Sequence, residues 1–225
     1  MRGVPTVEST DPYCLRAGET AALLTGHPWR RFAVLGDSVA EGHGDPVEGY
    51  STLFWCARIA AELAVPDYLN LGKHGLKAAD VAATQLEPAL AFGPDLALVV
   101  CGGNDAFVRG YDPDAVDSAL ETMIVALQGA GADVLTVSMF DISHSPKVPA
   151  WLRPGLKERN QTLADRTDAL AAKLGTLHIK LWDHPLVADL SLYSEDGLHG
   201  NARCAAIAAA EGVRRLGAEL ARRRG

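Results

Sequence analysis

Five apolar residues in succession, Leu96-Ala97-Leu98-Val99-Val100, stand between Gly93-Pro94-Asp95 and Gly102-Gly103. A strand with one face in water alternates apolar and polar side chains, so an unbroken run reads as a strand covered on both faces. Such strands belong to parallel sheets, whose neighbouring strands are joined by crossover helices. The rest of the chain supplies that alternation. Apolar runs predict further strands over residues 32–35, 68–71, 133–139 and 177–182. Helices are expected over 50–64, 77–90, 112–128, 155–174 and 201–222. Leu53, Phe54, Ala57, Ala60, Ala61 and Ala64 fall near one face of the first of these. Asp112 and Pro113 form an N-cap and first turn, and Gly129, Gly131 and Gly175 are stops. The expected architecture is an α/β sandwich, a five-stranded parallel sheet with helices on both faces.

The 225 residues suit one such domain with a full core. Residues 1–29, punctuated by Pro5, Pro12, Gly18 and Pro28, read as a loosely structured N-terminal arm with a helical turn near 21–24. Residues 30–225 form the single α/β domain. Asp+Glu exceed Lys+Arg by 28 to 21, a formal net charge of −7, and the only basic run is Arg222-Arg223-Arg224. That balance argues against a nucleic-acid partner. The N-terminal residues lack the apolar run of a signal peptide, and no apolar stretch is long enough for membrane insertion. Cys14, Cys56, Cys101 and Cys204 are scattered without metal-like spacing, so buried or indifferent thiols in a cytoplasmic setting are expected.

Polar residues of turn type cluster where the expected strands end. The first strand runs into Gly36-Asp37-Ser38, the second into Asn70-Leu71-Gly72-Lys73-His74-Gly75 and the third into Gly102-Gly103-Asn104-Asp105. Asp196-Gly197-Leu198-His199 precedes the last helix. In a parallel sheet the strand carboxyl ends share one edge, where ligands bind. The four groups supply what acyl transfer needs. Ser38 offers a hydroxyl that requires a base, and His199 is the candidate base. Asp196, three residues earlier, can hold the imidazole in the right tautomer. The N–H groups of Ser38 and Gly75 and the amide of Asn104 can form an oxyanion hole.

In order and spacing these blocks resemble those of the SGNH (GDSL-type) hydrolases over about residues 31–222. The resemblance implies a flavodoxin-like three-layer sandwich and metal-free ester hydrolysis, with Ser38, Gly75, Asn104 and His199 as the named quartet. Val39 follows the nucleophile where the family often has Leu, a conservative departure.

Taken singly, each block has a plainer reading. Gly-Asp-Ser after a strand is ordinarily a turn or a cap, and Asn104-Asp105 a capping turn. Asp196 and His199 alone would be a solvated pair. Their coincidence at one sheet edge reverses those readings. Asp37 is assigned to support of the serine loop and Asp105 to structure. Asp37, His74, Phe107, His144 and Trp151 are weaker candidates for contact with substrate. The stretch 141–154 is either a lid or acyl-binding wall formed by Ile142, His144, Lys147, Val148 and Trp151, or a Pro-stiffened surface loop. HExxH, GxGxxG, P-loop and GxSxG patterns are absent, so no metal or cofactor is expected. The expectation is a serine esterase acting on a small-molecule or lipid-like ester or thioester. An acyltransferase or biosynthetic tailoring enzyme using the same residues is the alternative. A non-catalytic small-ligand-binding module is the remaining rival, and it would have no need of both Asp196 and His199.

Overall fold

The structure, a computed structural model, describes residues 6–225. Two short helices, α1 (Thr6–Thr10) and α2 (Glu19–Leu24), precede β1 (Arg31–Gly36). Then come α3 (Ser38–Glu41), α4 (Trp55–Leu63), β2 (Asp67–Asn70), α5 (Ala78–Phe92), β3 (Leu96–Val100) and α6 (Gly103–Phe107). The chain continues with α7 (Pro113–Gly129), β4 (Asp133–Ser138), α8 (Arg153–Leu174), β5 (Leu177–Lys180) and α9 (Ala202–Arg224). The strands pair in parallel in the order β2-β1-β3-β4-β5. This is the flavodoxin-like order, in which the crevice lies beside β1 and β3 at the carboxyl edge.

Alternate strand residues feed two cores, as the period of 2 requires. Phe32, Val34, Leu96, Leu98, Leu135 and Val137 pack with Trp55, Ile59, Val213 and Leu216 of α4 and α9. Ala33, Leu35, Ala97, Val99 and Val134 pack with Val81, Leu120, Met123, Ile124 and Leu163 of α5, α7 and α8. All five residues of β3 are buried, as its unbroken apolar run predicts. Asp112 caps α7 by accepting from the N–H groups of Asp114 and Ala115, with Pro113 in the first turn. Asn201 caps the Ala-rich α9 in the same way through Arg203 and Cys204.

Two expectations are corrected. The helix expected from residue 50 begins only at Trp55. The intervening backbone is claimed by distant side chains: Ser51 N–H donates to Glu8, and Arg58 donates to the carbonyls of Ser51 and Leu53. The N-terminal arm, of which residues 1–5 lie outside the described residues, is packed rather than loose. Cys14, Leu24 and Trp29 are buried, Trp29 to 1 % exposure. Arg58, Arg203 and Arg214 pair with Glu8, Asp11 and Glu19 across the arm, and Trp29 Nε1 donates to Asp133 at 2.7 Å. Those ties join residues about 50 to 200 positions apart, so no local pattern announces them. Stretch 141–154 is also partly ordered: Asp141 caps a single 3₁₀ turn, Ile142–His144, and α8 starts at Arg153 with Pro154 in its first turn. The described cysteines are all unpaired thiols, three of them buried and Cys204 half-buried.

Candidate active site

Ser38 opens α3 directly after β1, and Asp37 caps that helix by accepting the Val39 N–H at 3.0 Å. The strand end is fixed before the serine is reached. Asp37 N–H donates to the Val100 carbonyl of β3, and the buried Gln85 side chain bonds both the N–H and the C=O of Gly36. Ser38 is only 6 % exposed, and its hydroxyl points toward the loop after β5.

There it meets His199, whose Nε2 lies 2.8 Å from Ser38 Oγ. The other ring nitrogen, Nδ1, lies 2.6 Å from Asp196 Oδ2. Asp196 also accepts the N–H groups of Leu198 and His199 on Oδ1, at 2.8 and 3.0 Å. Burial pushes the Asp196 carboxyl up, but the His199 ring and those two N–H groups outweigh it and hold it at about 2. An ionised carboxylate therefore faces Nδ1, which leaves Nε2 free to take a proton from the serine. Burial drives Asp37 the other way, up to about 6, with the nearby Asp105 adding to the push.

Asn104 lies in α6, directly beyond β3. Its Nδ2 donates to the Leu76 carbonyl at 2.9 Å and faces Asp37 at a long 3.4 Å, so its second hydrogen is poorly used. The Leu76 bond also places Asn104 one residue from Gly75. Gly75 adopts φ +79°, a left-handed conformation suited to glycine. Among the described residues, no protein acceptor takes the N–H of Ser38 or of Gly75. Asp105 accepts the Ala78 N–H and so fixes the start of α5.

Ser38, Asn104 and His199 line one cavity of about 320 Å³. Its walls are mostly apolar, drawn from the β4 exit (Val137, Met139, Phe140), α8 (Leu163, Ala164) and α9 (Ala205, Ala208). Of the weaker candidates, Asp37, His74 and Phe107 lie on the wall. His144 and Trp151 do not: His144 turns to Asp141, and Trp151 is 81 % exposed. Of the loop residues named for a wall, Ile142 lines the cavity. Sequence reasoning also missed Glu41, His43 and Asn160. His43 and His74 sit against His199, with ring centroids 5.4 and 5.9 Å away. Asn160 lines the cavity from α8, and its buried Nδ2 has no hydrogen-bond partner. Nothing local marks any of these three, because each is defined by what lies across the site. Among the described residues, no group of three or more His, Cys, Asp or Glu is arranged to hold a metal ion.

A model of the GDSL-like lipase/acylhydrolase family matches residues 34–207, well over half of the chain. The chain belongs to that family. It is a serine hydrolase of the SGNH type, with the α/β fold of its structural relatives. A lipase/acylhydrolase from Enterococcus faecalis superposes with a TM-score of 0.67 at 22 % identity, covering 84 % of this chain and 96 % of its own. An acetylxylan esterase from Geobacillus stearothermophilus gives 0.64 at 17 %, covering 83 % and 94 %. An alpha/beta hydrolase enzyme from the metagenome of Lake Arreo, Spain, gives 0.63 at 18 %, covering 84 % and 95 %. No curated protein matches the chain by sequence. Among the described residues, no helix of this hydrolase is long and apolar enough to cross a membrane.

Proposed function

We propose that this hydrolase cleaves a carboxylic ester or thioester of a small acyl or lipid-like substrate through an acyl-serine intermediate. The observation that carries the reading is the unbroken chain Ser38 Oγ, His199, Asp196, with contacts of 2.8 and 2.6 Å. Ser38 Oγ attacks the carbonyl carbon as its proton passes to His199 Nε2. The carbonyl electrons move to oxygen, which the N–H groups of Ser38 and Gly75 and the second Nδ2 hydrogen of Asn104 receive. Collapse expels the alcohol or thiol, which takes the proton from His199. Water then attacks the acyl-serine, gives its proton to His199, and the acid leaves as Ser38 recovers it. The mostly apolar cavity favours a substrate with a hydrocarbon portion. In the Geobacillus stearothermophilus esterase, solved catalytic mutants replace one histidine, one aspartate and one serine, the same three residue types.

The test is labelling with a fluorophosphonate, followed by a chain-length series of p-nitrophenyl esters and acyl thioesters. Ser38 is expected to carry the label, and Ser38→Ala to lose hydrolysis while keeping its fold. Full activity in folded Ser38→Ala would overturn the mechanism. Product analysis with a competing alcohol separates hydrolysis from acyl transfer.

A further inference from the structure

We propose that Glu41 is a positioning residue that holds the turn carrying the Gly75 oxyanion donor against the nucleophile helix. The inference rests on the role given above to Gly75. Helix α3 begins with Ser38 and ends with Glu41, so one turn of helix connects the nucleophile to this carboxylate. Glu41 Oε2 accepts the backbone N–H of His74 at 2.6 Å, one residue before Gly75. A charged acceptor makes this a stronger bond than one between neutral groups.

Other contacts bring the same two segments together but stop short of Gly75. Asn70 Nδ2 donates to the Ala40 carbonyl at 2.7 Å, and Lys73 N–H donates to the Gly36 carbonyl at 3.1 Å. At Gly72 a Cβ would overlap the Glu41 backbone nitrogen, so only glycine allows that approach. Beyond Lys73 the backbone loses these supports. Apart from its chain neighbours, no atom lies within 4 Å of the position a Gly75 Cβ would take, so packing does not fix that residue on this side. Of the ties to the nucleophile helix, the Glu41 bond is the nearest to the donor; on the other side of Gly75, Asn104 holds the Leu76 carbonyl.

His43 completes the device. Its Nε2 lies 2.9 Å from the same Glu41 Oε2, and its ring forms a triangle of tilted rings with those of His74 and His199. The His43 contact above all, with help from the His74 N–H, holds the Glu41 carboxyl below its ordinary range against the opposing effect of burial. The carboxylate is thus ionised at neutral pH and available as an acceptor. An oxyanion donor acts only when it is aimed beforehand at the place where charge develops. A tie of this kind therefore acts on kcat more than on substrate binding.

The experiment compares Glu41→Met, which keeps length but removes the acceptor, with Glu41→Gln, which keeps an acceptor. Glu41→Met is expected to lower kcat for p-nitrophenyl butyrate about tenfold or more with KM little changed. Its affinity for a boronic acid, which forms a tetrahedral adduct on Ser38, falls in parallel. Glu41→Gln recovers most of both. If Glu41→Met does not fold, Glu41→Ala makes the same comparison. A kcat within about twofold of the parent, or a Gln variant no better than Met, would overturn the assignment. If Ser38→Ala is inactive while Glu41→Met is fully active, only the role of Glu41 falls. If Ser38→Ala is active, the mechanism itself falls.

Discussion

The two halves of the candidate site are built by different physics. The nucleophile half hangs on β1 and β3, two adjacent strands inside the sheet, and Ser38 and Asn104 lie within four residues of a strand end. The base half lies in the long irregular segment between β5 and α9. That segment is held by side chains from elsewhere. The Asp45 carboxylate accepts the Glu195 N–H, and Ser194 Oγ accepts the Asp45 N–H. Tyr193 OH donates to the Asp141 carbonyl, and Asn201 Nδ2 donates to the Ser191 and Tyr193 carbonyls. Ser194 N–H closes the loop onto the His199 carbonyl at 2.8 Å. A strand end is rigid because its ladder is cooperative. A tethered loop is rigid only while each tether lasts.

The comparison breaks most plainly at His199. His199→Ala is expected to lower kcat by roughly 10⁴-fold or more while the melting temperature changes little. A folded His199→Ala protein with substantial esterase activity would show that the nucleophile half works alone. Within the nucleophile half, Asn104→Ala should cost about 10²–10³ in kcat, read in the same ester assay. A loss confined to KM would place Asn104 in substrate binding instead.

One carboxyl from each half, the buried Asp37 and the exposed Asp196, should give stability slopes of opposite sign. Asp37 is raised to about 6, so the folded protein binds that proton more tightly than the unfolded chain does. Its contribution is present below the ordinary carboxylate pKa and lost as pH rises through about 6, roughly 3 kcal/mol at most. Asp196 is lowered to about 2, so its contribution is present above the ordinary value and lost as pH falls toward 2. His178, lowered to about 4 by burial, adds a rising slope between about 4 and the ordinary histidine value. Urea midpoints against pH should therefore be compared between the parent and each variant. Asp37→Asn, which keeps an acceptor for the Val39 N–H, removes the falling slope between about 4 and 6. Asp196→Asn removes the rise between about 2 and 4. A parent and an Asp37→Asn variant with the same slope would show that Asp37 is not desolvated.

The smallest effect tests the tethers. Asp45→Ala is expected to lower kcat about tenfold, slow fluorophosphonate labelling of Ser38 equally, and speed proteolysis within 183–199. Unchanged labelling would mean that the remaining bonds of the loop suffice.

Much of this molecule was written locally. The apolar runs of β1, β3 and β4 set the sheet, and the Asp112-Pro113 pair and Gly175 set helix ends, because backbone preference and period act over a few residues. The same locality made Ser38, Gly75 and Asn104 legible, since turn residues at successive parallel strand ends must share an edge. Asp196 and His199 were legible as a pair by their spacing, which places one carboxylate beside one imidazole.

Other features had no local signature. The late start of α4, the packed arm, the exclusion of His144 and Trp151 from the cavity wall, and the parts played by Glu41, Gln85 and Asp45 all depend on side chains meeting backbone far along the chain. Hydrogen bonds of that kind have no period, and the residue types that make them are the ordinary residues of any polar surface. The sequence by itself determined the main elements, their parallel pairing and which residues are candidates for the chemistry. Only the tertiary structure decided that the His199 ring reaches Ser38, because that contact joins residues 161 positions apart and depends on tethers no short stretch contains.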